Sequence, residues 1–118
     1  MRLIGPLLVA ALAANAAFAA DVTGEWRLQS SVNGNPVTIV CTLVQEGDTL
    51  LGTCKPDGIP PSPLAGSVSG ERAKWGYDVV FNGNPGRVDY EAELGADGRL
   101  RGTMYLSGNP TPFTAEKQ

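Results

Sequence analysis

Apolar and polar residues alternate along most of the chain beyond residue 20, most plainly in Val88-Asp89-Tyr90-Glu91-Ala92-Glu93-Leu94. Side chains of an extended strand switch faces at every step, so this run puts Val88, Tyr90, Ala92 and Leu94 on one face and three carboxylates on the other. No stretch beyond the first twenty residues carries the 3.6-residue period of an amphipathic helix. Short alternating runs separated by Gly, Asn, Asp and Pro predict an all-β fold of eight strands. Their expected bounds are Asp21–Ser31, Pro36–Glu46, Thr49–Lys55, Pro63–Ser69, Ala73–Asn82, Arg87–Leu94, Arg99–Ser107 and Thr111–Lys117. One apolar face then continues through all of them. It carries Trp26 and Leu28; Ile39, Cys41 and Leu43; Leu50, Gly52 and Cys54; and Leu64, Gly66 and Val68. Ala73, Trp75, Tyr77, Val79 and Phe81 follow, then Val88 to Leu94, Leu100, Gly102, Met104, Leu106, Phe113 and Ala115.

Every connection is short, as an antiparallel up-and-down order requires. Closure into an eight-stranded β-barrel removes exposed edges. Connections then alternate between two ends. One end holds Gly47-Asp48, Gly70-Glu71-Arg72 and Gly95-Ala96-Asp97-Gly98, tight turns with Gly where a positive φ is needed. The other holds NGNP at 33–36, NGNP again at 82–85, SGNP at 107–110, and the longer KPDGIPPSP at 55–63. The repeated tetrapeptide has two readings. It suits turns, since Asn and Gly accept left-handed backbone angles and Pro opens a strand without needing its N–H. It would also decorate a binding mouth with Asn33, Asn35, Asn82, Asn84 and Asn109. GDTLLGT at 47–53 resembles DGRLRGT at 97–103, each a turn followed by an inward Leu and an inward Gly. An inward Gly leaves room for a bulky neighbour such as Trp26 or Trp75.

The hairpin turn at Gly47-Asp48 sets a register. With Glu46 opposite Thr49, Cys41 falls opposite Cys54 at a non-hydrogen-bonded pair, where Cα atoms stand about 4.5 Å apart. That separation lies within disulfide reach, and the bridge would face inward and enclose twelve residues. A redox role is disfavoured, because there is no CxxC and the sulfurs would be buried.

The leader supports an oxidising compartment. Arg2 gives a positive start, an apolar run follows to Ala13, and Ala17-Phe18-Ala19 has the A-x-A form of a cleavage site. Residues 1–19 read as a secretory signal peptide and 20–118 as a single barrel domain, periplasmic or secreted in a bacterium. The run is too short to span a bilayer, and no Cys follows for lipid attachment. The chain has nine basic and twelve acidic residues, a net charge of −3, and loss of Arg2 takes it to −4. The signs are interspersed, so nucleic-acid and membrane partners are disfavoured.

The chain has no histidine. Ser-His-Asp and Cys-His arrangements are therefore out of reach, as are most metal-ligand sets. No acidic residue lies on the inward face, where burial would raise its pKa for acid catalysis. The expected protein is not an enzyme and needs no cofactor or metal. Binding remains. The inward aromatics Trp75, Tyr77, Phe81 and Tyr90 either line a pocket for a small apolar ligand or fill a core that a domain this small needs. Val40, Val44 and Leu51 form an outward apolar patch, either a contact surface for a protein partner or scattered surface apolar residues of no consequence, and the barrel is expected to be a monomer or a small homo-oligomer.

VTGEW in the first strand, GDTLLGT in the second hairpin, WGYDVVF in the fifth strand and FTAEK at the end resemble avidin and streptavidin, in order and over the whole domain. The G-x-W start also resembles lipocalins and the small periplasmic inhibitors of secreted metalloproteases. The resemblance implies a calycin-type barrel with its Trp near the closed end and its ligand mouth or docking rim at the NGNP end. It does not extend to biotin. Leu28 stands where avidins carry a polar ureido contact, and Gly52-Thr53-Cys54-Lys55-Pro56 lacks the others. Nor is there the N-terminal arm with which the inhibitors block proteases.

Overall fold

The computed structural model describes residues 20–118. The expected leader and its cleavage site lie outside the described residues. Eight strands follow one another: β1 Gly24–Val32, β2 Asn35–Glu46, β3 Thr49–Pro56, β4 Ser62–Ser69, β5 Arg72–Phe81, β6 Asn84–Leu94, β7 Leu100–Leu106 and β8 Asn109–Lys117. They form one closed barrel in sequence order, and every neighbour, including β8 on β1, is antiparallel. The inward positions of the alternating pattern make the core. Trp26, Leu28, Cys41, Leu43, Leu50, Tyr77, Tyr90 and Leu100 are fully buried. No polar or charged residue other than the tyrosines and tryptophans is buried among those described.

The Gly47-Asp48 turn joins Glu46 to Thr49, and Cys41 pairs with Cys54. The two cysteines form a disulfide with Cα atoms 4.0 Å apart, and neither is accessible to solvent. The hairpin register alone brings the sulfurs together.

At the closed end, the chain departs from expectation at its start. β1 begins at Gly24 rather than Asp21, because residues 20–23 cross the barrel floor. The Ala20 N–H donates to the Gly70 carbonyl at 2.9 Å, and the Val22 N–H donates to Gln45 Oε1 at 2.9 Å. The Val22 side chain is buried, and its carbonyl accepts the indole N–H of Trp26 at 2.9 Å. Trp26 is thereby fixed as the floor of the barrel. The neighbouring turns also differ slightly. Gly70-Glu71 is a two-residue turn with Arg72 already paired to Ser69, and β7 starts at Leu100 rather than Arg99.

The open end explains the repeated tetrapeptide. Asn33-Gly34, Asn82-Gly83 and Ser107-Gly108 have φ of 53° and 82°, 52° and 82°, and 47° and 89°. Two successive left-handed residues define the type I′ turn whose twist matches a hairpin. Asn35, Asn84 and Asn109 then open the next strands, paired with Val32, Phe81 and Leu106. Counting outward, Pro36, Pro85 and Pro110 fall on non-hydrogen-bonded pairs, so each missing N–H faces the strand on the other side. The three prolines sit beyond the end of those ladders and blunt the rim against pairing with another chain.

Two ladders stop short of the rim for a related reason. β1 and β8 pair only from Trp26↔Lys117 to Gln29↔Thr114. Above that, Pro112 and Pro110 have no N–H for the seam. Hydroxyls replace the ladder: Ser30 Oγ donates to the Pro112 carbonyl at 2.7 Å, and Thr111 Oγ1 donates to the Ser31 carbonyl at 3.0 Å. Between β4 and β5 the register ends at Ala65↔Gly76. Pro63 is the next residue of β4 that would donate across, and it cannot. The last five residues of β5 therefore pair with β6 alone. Phe81, expected inside, instead sits 37 % exposed at the rim, beyond the reach of the β4–β5 ladder.

Candidate functional site

Within the ring of open-end turns the barrel interior is not filled. A cavity of about 630 Å³ opens there. Tyr77 and Met104 lie at its base, Ile39 and Val88 in its wall, and Phe81, Asn33, Asn82, Asp57 and Ile59 around its rim. The long loop after β3 closes one side of the rim. The Asp57 N–H donates to the Thr38 carbonyl at 3.1 Å, and the Ile59 N–H donates to the Pro56 carbonyl at 3.1 Å, with Gly58 in the left-handed region. This turn holds Ile59 against the mouth.

Beneath the cavity is an aromatic cluster. Trp75 stacks on Tyr90 with ring centroids 5.0 Å apart, and Phe113 stands edge-on to both, at 6.4 and 5.3 Å. Cross-strand pairing of Trp75 with Tyr90 and of Tyr77 with Val88 sets the heights, so Tyr77 is one layer nearer the mouth than Tyr90. The two tyrosine hydroxyls are 2.7 Å apart and hydrogen-bonded. Burial pushes the Tyr77 phenol up to about 12, although Tyr90's hydrogen bond acts the other way. Tyr90 is pushed up further, by deeper burial and by the neighbouring Tyr77 oxygen. Both are neutral under any physiological condition. The Trp75 indole N–H has no hydrogen-bond partner among the described residues.

The expected binding residues thus divide. Tyr77, Phe81, Asn33 and Asn82 border the cavity. Trp75 and Tyr90 are packed below it and do not line it. Asn35, Asn84 and Asn109 are exposed strand-opening residues outside it. Ile39, Val88, Met104, Asp57 and Ile59 were not singled out. Inward parity marks Ile39, Val88 and Met104, but parity alone does not say which inward residues stand at a cavity.

The outer surface offers less. Arg72, Glu93 and Arg101 alternate in charge across β5, β6 and β7, as do Lys74 and Glu91. Arg87 bridges Asp78 and Asp89 at 3.3 and 3.1 Å, all largely exposed and worth little to stability. Asp97 is held near 2 by its hydrogen bonds from Arg101 and from the Arg99 backbone. Val44 and Leu51 face each other across β2 and β3, 40 % and 44 % exposed, while Val40 is half-buried beside Lys55. Among the described residues, no three His, Cys, Asp or Glu side chains come together as metal ligands would.

The chain is therefore defined by its architecture: a closed eight-stranded antiparallel barrel, disulfide-pinned, plugged at one end and open at the other. The buried disulfide points to an oxidising, extracellular-type compartment. No family model, curated protein or solved structure matches the sequence.

Proposed function

We propose that this is a periplasmic or secreted, non-enzymatic binding module of calycin type, which takes a small apolar or aromatic molecule into its open end. The cavity supports this reading. Its 630 Å³ is within the range of small-molecule sites, which runs from about 300 to 1,000 Å³. Its wall is mainly aliphatic, its base carries a phenol, and the rigid I′ turns keep the rim open without a lid.

A neutral fluorophore such as N-phenyl-naphthylamine tests it. The mature protein is expected to give saturable, blue-shifted emission at micromolar concentrations. Leu106→Trp, which narrows the mouth from a half-buried rim position, is expected to abolish that signal without lowering the urea midpoint. Emission that rises linearly without saturating would sink the proposal.

The Val44–Leu51 pair favours a second reading, a protein contact through the barrel wall. Leu51→Lys would then remove a self-association or partner complex seen by light scattering, and leave fluorophore binding intact.

A further inference from the structure

We infer that the ligand of this mouth is a neutral molecule with a hydrogen-bond acceptor, such as a ketone, amide or ether oxygen, that receives the hydroxyl proton of Tyr77. The inference rests on the mouth being a ligand site, and it follows from a count of protons. Each phenol has one hydrogen to donate and lone pairs to accept with. At 2.7 Å, one of the Tyr77–Tyr90 pair donates to the other, and the second hydrogen still needs an acceptor. Among the described residues the Tyr90 hydroxyl bonds to nothing but Tyr77. The rings of Trp75 and Phe113 pack against it, Met104 stands opposite it on β7, and the Trp75 N–H is itself a buried donor without a partner. The deep layer is short of acceptors, so Tyr90 gives its hydrogen to Tyr77. Tyr77 lines the base of the cavity, one layer nearer the mouth than Tyr90, so of the two hydrogens its own is the one left for a molecule bound above it.

Charge sets the rest of the chemistry. The lining contains Asp57 and no Lys or Arg. A carboxylate ligand would lose its hydration with no counterion and with Asp57 at the rim. A cation would meet an aliphatic wall and a base that presents a hydrogen rather than a lone pair. A neutral acceptor loses least on entry and satisfies a hydroxyl that is costly to leave unpaired.

Three probes of one shape separate these cases: β-ethylnaphthalene, β-acetylnaphthalene and β-naphthoate, each displacing N-phenyl-naphthylamine from the mature protein at neutral pH. The ketone is expected to bind about tenfold more tightly than the hydrocarbon, with the carboxylate weakest. Tyr77→Phe should bring the ketone down to the hydrocarbon's affinity and leave the hydrocarbon unchanged. Tyr90→Phe should keep the preference, since Tyr77 still donates. The bound ketone's carbonyl stretch should move to lower frequency in the unmodified protein, which serves if Tyr77→Phe fails to fold. Equal affinity for ketone and hydrocarbon, a preference that survives Tyr77→Phe, or tightest binding of naphthoate would each overturn the inference and leave the mouth standing. Displacement by none of the three would remove the mouth as a ligand site, and the inference with it.

Discussion

The buried tyrosine pair makes the protein's stability depend on alkaline pH in a calculable way. An unfolded tyrosine ionises near 10, whereas burial holds Tyr77 protonated to about 12 and Tyr90 beyond it. Between those limits the unfolded chain releases protons that the folded one keeps. The contribution is complete below pH 10 and is lost as the pH rises above it. Tyr77 alone accounts for two pH units, roughly 3 kcal/mol at about 1.4 kcal/mol per unit. That is a large part of the roughly 5–15 kcal/mol that holds a small domain together. Tyr90 titrates in the same direction and steepens the slope of the loss. The assay is phenolate absorbance in a Tyr105→Phe variant, where only the pair can report. Folded protein is expected to show no phenolate as the pH passes 10, and absorbance should appear only as circular dichroism is lost. The double variant Tyr77→Phe/Tyr90→Phe removes both hydroxyls together, and the slope should vanish. Phenolate forming with a midpoint near 10 in a chain of unchanged circular dichroism would refute the burial argument.

Four further outcomes follow from the wall of the barrel. Removing the disulfide as Cys41→Ala/Cys54→Ala should cost about 3 kcal/mol in urea unfolding. Because both sulfurs are inaccessible, a mild reductant should leave the bridge intact until the chain unfolds, as read by alkylation and mass. Gly66→Ala should destabilise by about 1–3 kcal/mol or more, since the added methyl would run into the Lys74 carbonyl and Trp75, its cross-strand partner. Hydrogen exchange should find the amides of Asp78 and Val80, which face the interrupted β4 side, faster by about a hundredfold than those of Tyr77 and Val79. Equal protection along the top of β5 would mean the β4–β5 ladder continues to the rim.

What the sequence disclosed, and what it did not, follows from the kind of information a period of two carries. Alternation assigns a face to each residue, and two-residue turns assign a partner. Hence the strands, the barrel order and the Cys41–Cys54 bridge are all legible in the chain itself. Neither signal assigns a neighbour on the far side of a strand. Phe81 has the parity of a core residue, but it lies at the exposed rim, five residues beyond Gly76, where the β4–β5 ladder stops short of Pro63. Val22 lies in the core without belonging to a strand, because the floor needs a plug and the Trp26 indole needs an acceptor. Height was the other missing coordinate. Trp75, Tyr77 and Tyr90 share one face, yet only Tyr77 borders the cavity, and that follows from adding the β5–β6 register to the distance of each residue from the Asn82-Gly83 turn. The same repeat, NGNP, both shapes the rim and blunts it: Asn-Gly closes each hairpin, and Pro ends the adjoining ladder. On the proposed reading, a mouth framed by such turns takes its ligand into the interior, and there the donor of Tyr77 would be the group that discriminates among ligands.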